Sequence, residues 1–204
     1  NTRKGTGRIY KIVHGRPKPA DVDVATLSDA ELVELQLHKN DWFVTHARKE
    51  LQRRFAAGVD LSVARRRLAE IFNDNPDVTR KLRALWAGHA TGGIKEAYLL
   101  RQLGHDDEAI RSWVARLLTD VEEISDAVVQ GFAGSAREDE SQFVRLHLAS
   151  ALQRLPLGKR WGIAEGLLSH DEDAADPVIP LMIWYGVEPL VKHDKAKGLK
   201  LAGK

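Results

Sequence analysis

Cysteine is absent from the 204 residues. Its absence excludes disulfides, thiolate-bound zinc, thiol catalysis and covalent haem attachment within this chain. An excess of one charge is missing too. Lys and Arg number 31 against 29 Asp and Glu, a formal net charge of +2, which argues against a dedicated binder of polyanions. No apolar run approaches the ~20 residues that a membrane-spanning helix needs. The opening Asn1-Thr2-Arg3-Lys4-Gly5 has neither an initiator Met nor the apolar centre of a signal peptide. The chain is therefore read as a piece of a longer one.

What is present is ordinary for a folded protein: 43% hydrophobic and 29% charged residues. Thr6 to Val13 alternate, with Ile9 and Val13 interleaved among Arg8, Tyr10 and Lys11, between glycines at 5, 7 and 15. That pattern predicts one short strand. Arg16-Pro17-Lys18-Pro19 reads as an extended linker, because proline disfavours helix in itself and in its predecessor. Helix begins after Leu27. Ser28 and Glu31 stand at capping-box spacing, with Leu27 and Leu32 placed as a hydrophobic staple.

From there the helices repeat in pairs. Asp41, Asp77, Asp106, Asp139 and Asp176 each fall at or beside the start of a second helix. They are spaced by about 34 residues, within the range of solenoid repeats. The second helices carry apolar residues at three- and four-residue steps: Val44, Ala47, Leu51, Phe55; Val78, Leu82, Leu85, Trp86; Ile110, Trp113, Val114, Leu117; Val144, Leu148, Leu152, Leu155. One such pair cannot bury its apolar face alone, so neighbours must stack. Arg48, Arg83, Arg111 and Arg145 follow the first, second, third and fourth Asp by five to seven residues, while Met182 replaces Arg in the fifth pair. Asp139…Val144-Arg145…Ala149…Leu152 resembles the HEAT repeat. That resemblance implies an all-α, right-handed α-α superhelix of about five helix pairs, armadillo-like in class. It also implies an Asp–Arg ladder from repeat to repeat, to which Asp41, Asp106, Asp139, Arg111 and Arg145 belong. Residues 1–25 would form the extended segment, 26–193 the repeats, and 194–204 the start of a further one.

Three stretches together resemble a larger family: Gly5-Thr6-Gly7-Arg8-Ile9-Tyr10-Lys11-Ile12; Leu27 to Leu32 leading to Asn40-Asp41-Trp42; and Asp176 to Tyr185 with Glu188-Pro189-Leu190. They are similar to the HEAT region of large secreted bacterial proteins of the membrane-bound dehydrogenase type. There a propeller related to quinone-dependent sugar dehydrogenases precedes the repeats, and a c-type cytochrome domain commonly follows. The resemblance implies a periplasmic or otherwise extracytoplasmic, non-catalytic scaffold, without cofactor or metal of its own. Its partners would be adjacent propeller and cytochrome-like domains or another protein.

No residue constellation points to catalysis. The eight histidines are scattered, and only His38 and His46 are placed to meet across a hairpin; capping is the better reading. Gly92-Gly93-x-Lys95 lacks the strand–loop–helix setting of a phosphate loop. The acidic runs at 138–140 and 171–173 read as solvated helix caps rather than calcium loops. Arg65, Arg66 and Arg67, with Arg53 and Arg54, form the densest basic cluster. HEAT-like DNA glycosylases combine a basic groove with tryptophans and an acid, which is the competing reading. Consecutive arginines spread around a helix, however, and the sequence disfavours nucleic acid. Trp86 and Trp113 read as core anchors. Trp184 and Tyr185, bracketed by prolines, read as core with a docking surface as the alternative. A basic groove would favour the enzyme class, a mixed one the scaffold.

Overall fold

The computed structural model describes residues 10, 12–16 and 22–202. These residues form eleven α-helices and no strand, an all-α protein. Most of the strand expected at 6–13 lies outside the described residues; Tyr10, Ile12 and Val13 are exposed and unpaired as strand. No helix among the described residues is long and apolar enough to cross a membrane.

Helix starts follow local chemistry. Ser28 Oγ accepts from the Glu31 amide while the Ser28 amide donates to the Glu31 carboxylate, so α1 (Asp29–Glu34) opens on a capping box. Asn40 caps α2 (Asp41–Ala56), and Asp77 caps α4 (Val78–Ala90), which follows α3 (Ser62–Asp74). The third pair is α5 (Glu96–Gln102) and α6 (Glu108–Leu118), whose cap is Asp107 rather than Asp106. Ser125 and Ser141 cap α7 (Asp126–Glu138) and α8 (Gln142–Ala151). The last elements are α9 (Trp161–Leu167), α10 (Ile179–His193) and α11 (Lys195–Ala202).

Each second helix packs on the next, in the order α2, α4, α6, α8, α10, while α3 packs on α1 and α4, and α7 on α9. The buried set runs continuously from Val24 to Leu201. Most of the apolar residues expected in the core are there, but Phe55 is exposed, and Trp86 and Trp113 are only half-buried. Gly186 lets α10 approach the end of α8: a Cβ there would lie 2.6 Å from Leu152 Cβ.

Charge is neutralised inside the first pair. Glu50, buried in α2, accepts two hydrogen bonds from Arg53, each 2.7 Å, and one from Arg54 at 2.8 Å. Those bonds, led by Arg53 and working against burial, hold its pKa down at about 2. A carboxylate depressed below its unfolded value of about 4.3 stabilises the fold fully above that value. The contribution is lost as pH falls toward 2. Glu50→Gln should therefore flatten the acid limb of the stability–pH curve between those values. An unchanged limb in urea titrations across this window would count against the assignment.

A basic, tryptophan-lined groove across the second helices

The Asp–Arg ladder departs from simple repeat-to-repeat order. Arg111 grips Asp139 of the following pair with bonds of 2.8 and 2.9 Å, and Arg145 grips Asp173, not Asp176, with two of 2.6 Å. Arg83 reaches backwards to Asp41. Asp106 contributes its backbone carbonyl to Arg111, not its carboxylate. Asp173 is 3% exposed. The acidic run 171–173 is therefore not the solvated loop that its composition predicts, because Arg145 draws one of its carboxylates inside. Asp176 instead accepts from the Val178 and Ile179 amides at the head of α10.

Arg48 is left over. It meets no carboxylate within ion-pair distance among the described residues, and its Nη1 is buried without a hydrogen-bond partner. Burial, then the nearby Arg83 charge, lower its pKa, against a smaller opposing effect of Asp41. Its guanidinium lies 5.4 Å from the ring centre of Trp86, whose Nε1 is also buried and unpartnered. Trp86 meets Trp113 edge to face at 4.6 Å, and Arg116 covers Trp113 at 4.9 Å. These side chains line a recess of about 570 Å³ with Lys49, His89, Asp120 and Arg154. Arg116 and Arg154 also line a second recess of about 580 Å³ that continues to His147 on α8 and Met182 on α10. The two form one groove across the second helices. It gathers four permanent cations, Arg48, Lys49, Arg116 and Arg154, with Asp120 as the one carboxylate along it. His89 Nε2 stands 3.6 Å from that carboxylate.

The basic cluster most visible in the sequence lies elsewhere and is largely spent. Arg53 and Arg54 hold Glu50, Arg54 also holds Asp29, and Arg67 joins Glu34 and Glu70. Arg65 donates to the Thr91 carbonyl and covers Phe55, and Arg66 is exposed at the α1–α3 end. Trp184 and Tyr185 are not core: they are 56% and 52% exposed on α10. His38 accepts from the Asn40 amide, and His46 donates to the Trp42 carbonyl and stacks on its ring. Both histidines are thus committed to their own helix start. The groove cations come from segments far apart in sequence, so no local pattern announced the groove.

Compared with models of known families, with characterised proteins and with solved structures, the chain matches none of them.

Proposed function

We propose that this chain is a HEAT-type α-solenoid of five helix pairs, a non-catalytic interaction module, and that its groove across the second helices takes an acidic protein segment. The single observation that carries this is the composition of the groove: four cations, one carboxylate, and two buried donors, Arg48 Nη1 and Trp86 Nε1, without acceptors. Buried donors that end unpartnered cost free energy, which an entering carboxylate oxygen recovers. In the extracytoplasmic propeller–HEAT–cytochrome arrangement that the sequence resembles, the segment would belong to a neighbouring domain or to another protein. The succession α2, α4, α6, α8, α10 and the Arg–Asp bridges between pairs support the repeat reading.

A second reading keeps the groove and changes the ligand. The cation excess favours nucleic acid, with Asp120 as the acid of a HEAT-like glycosylase. Against it, Arg48 and Arg116 already lie over the rings of Trp86 and Trp113, where a stacking base would sit.

Tryptophan fluorescence separates the two. A short Glu-rich peptide should bind with an affinity that falls as salt rises. Replacing Arg48, Arg116 and Arg154 together by Glu should weaken binding about 100-fold or more. Tighter binding of a single-stranded oligonucleotide of equal charge would transfer the site to the second reading. No binding of either at low salt would remove the proposal.

A further inference from the structure

A second cavity, on the opposite side of α4 from the groove, has a different chemistry. It holds about 300 Å³ between α3, α4, the 91–95 loop and α5. Groove and cavity use different residues of α4: Trp86, His89 and Ala90 face the first, while Ala84, Leu85 and Gly88 face the second. The cavity walls are apolar, with Leu68, Phe72, Leu85 and Tyr98 prominent, and Phe72 meets Tyr98 edge to face at 6.0 Å. Three cations stand in the lining, Arg65, Lys95 and Arg101, and no carboxylate does. Among the described residues none of the three has a carboxylate within ion-pair distance, whereas Arg53, Arg54, Arg67, Arg80, Arg83, Arg111 and Arg145 each do.

The 91–95 loop is shaped to present them. Gly92 has φ +67°, and a Cβ there would lie 2.7 Å from Phe55 Cζ; at Gly93 a Cβ would lie 2.8 Å from Arg65 Cγ. The two glycines thus let Phe55 and the stem of Arg65 pack beneath the loop, with Arg65 donating to the Thr91 carbonyl. Arg65 Nε remains buried without a partner. Arg101 lies 5.4 Å over the Tyr98 ring, at the cavity wall.

We infer that this cavity binds a small amphiphilic carboxylate. Its head would meet Lys95, Arg101 and the free Nε of Arg65, and its apolar body would lie between Phe72, Tyr98 and Leu68. The volume equals that of about ten waters at about 30 Å³ each, room for an apolar body of about eight to ten heavy atoms. An apolar pocket with a few convergent polar groups is the usual form of a small-molecule site. The inference is independent of the groove and of its acidic segment.

Calorimetry on the whole chain tests it with octanoate, octanol and acetate. Octanoate should bind saturably, with octanol and acetate at least about tenfold weaker, since each lacks one half of the recognition. Lys95→Gln with Arg101→Gln, both exposed positions, should lose about tenfold or more for octanoate while leaving the melting temperature unchanged. Ala97→Phe, at the exposed mouth on α5, should block octanoate without altering peptide binding in the groove. Octanol binding as tightly as octanoate would overturn the role of the cations. Absence of saturable octanoate binding, or undiminished binding by either variant, would overturn the site.

Discussion

Replacing Arg145 by alanine should destabilise the protein by about 3–5 kcal/mol, because it strands a buried charge. Arg145 is 2% exposed and makes two bonds of 2.6 Å to Asp173, one of 3.0 Å to Glu172 and one of 2.9 Å to the Asp139 carbonyl. Removing it leaves the Asp173 carboxylate inside with only the Gln142 amide, at 3.1 Å, as a remaining donor. Burial pushes that carboxyl's pKa up, and the bonds and charge of Arg145, helped by Gln142 and His170, more than reverse it, so that it ends below its ordinary value. A depressed carboxylate stabilises the fold above its unfolded pKa and loses that contribution as pH falls through the folded one. The single variant should therefore be less acid-sensitive as well as less stable. Arg145→Met combined with Asp173→Leu removes both charges and should cost clearly less than Arg145→Ala alone. Additive losses in urea denaturation would show that the two side chains do not act as a pair.

The second large effect is expected at Arg160, which precedes α9 and lies only 8% exposed. Among the described residues it has no carboxylate partner. Its guanidinium donates to three backbone carbonyls: Leu155 at 2.8 Å, Gly186 at 2.9 Å and Gln153 at 3.3 Å. Two of those carbonyls lie in the 3-10 turn that follows α8, and the third lies in the middle of α10, so one side chain ties that turn to α10. Burial lowers its pKa, the sign of a cation held away from water. Arg160→Ala removes these three bonds and should cost about 3 kcal/mol or more. Arg160→Lys should recover less than half of that, since an ammonium lacks the planar fork that spans three acceptors. Amide exchange should show α10 losing protection before α7. Uniform loss across both helices would mean that Arg160 stabilises the whole fold rather than this one junction.

Helix positions were legible from local patterns. The capping box at Ser28, the Asp at the head of α4 and the three- and four-residue apolar steps of α8 all involve partners within one or two turns. Such interactions are decided by the sequence alone. The ladder was legible only in part. Arg111 with Asp139 follows from repeat spacing, but Arg145 passes over Asp176 for Asp173, and Arg83 turns back to Asp41. Composition also singled out arginines that mostly pair internally. The run at 65–67 and the pair at 53–54 stand out in sequence, yet Glu34, Glu50, Glu70 and Asp29 neutralise most of them.

By itself, then, the sequence determined an all-helical chain, its approximate helix boundaries, and the buried faces of most helices. Each of these depends on residues a few positions apart, held by the fixed rise and rotation of the α-helix. The tertiary structure alone decided which charges found partners. It also left Trp86 and Trp113 half-buried, packed on the core with one side in the groove, and it brought Arg48, Lys49, Arg116 and Arg154 into that groove. Those outcomes depend on distances between segments that stacking sets. A rotation of one helix by half a turn about its axis would exchange which residues face the groove and which face the core, and no local pattern records how neighbouring segments set that rotation.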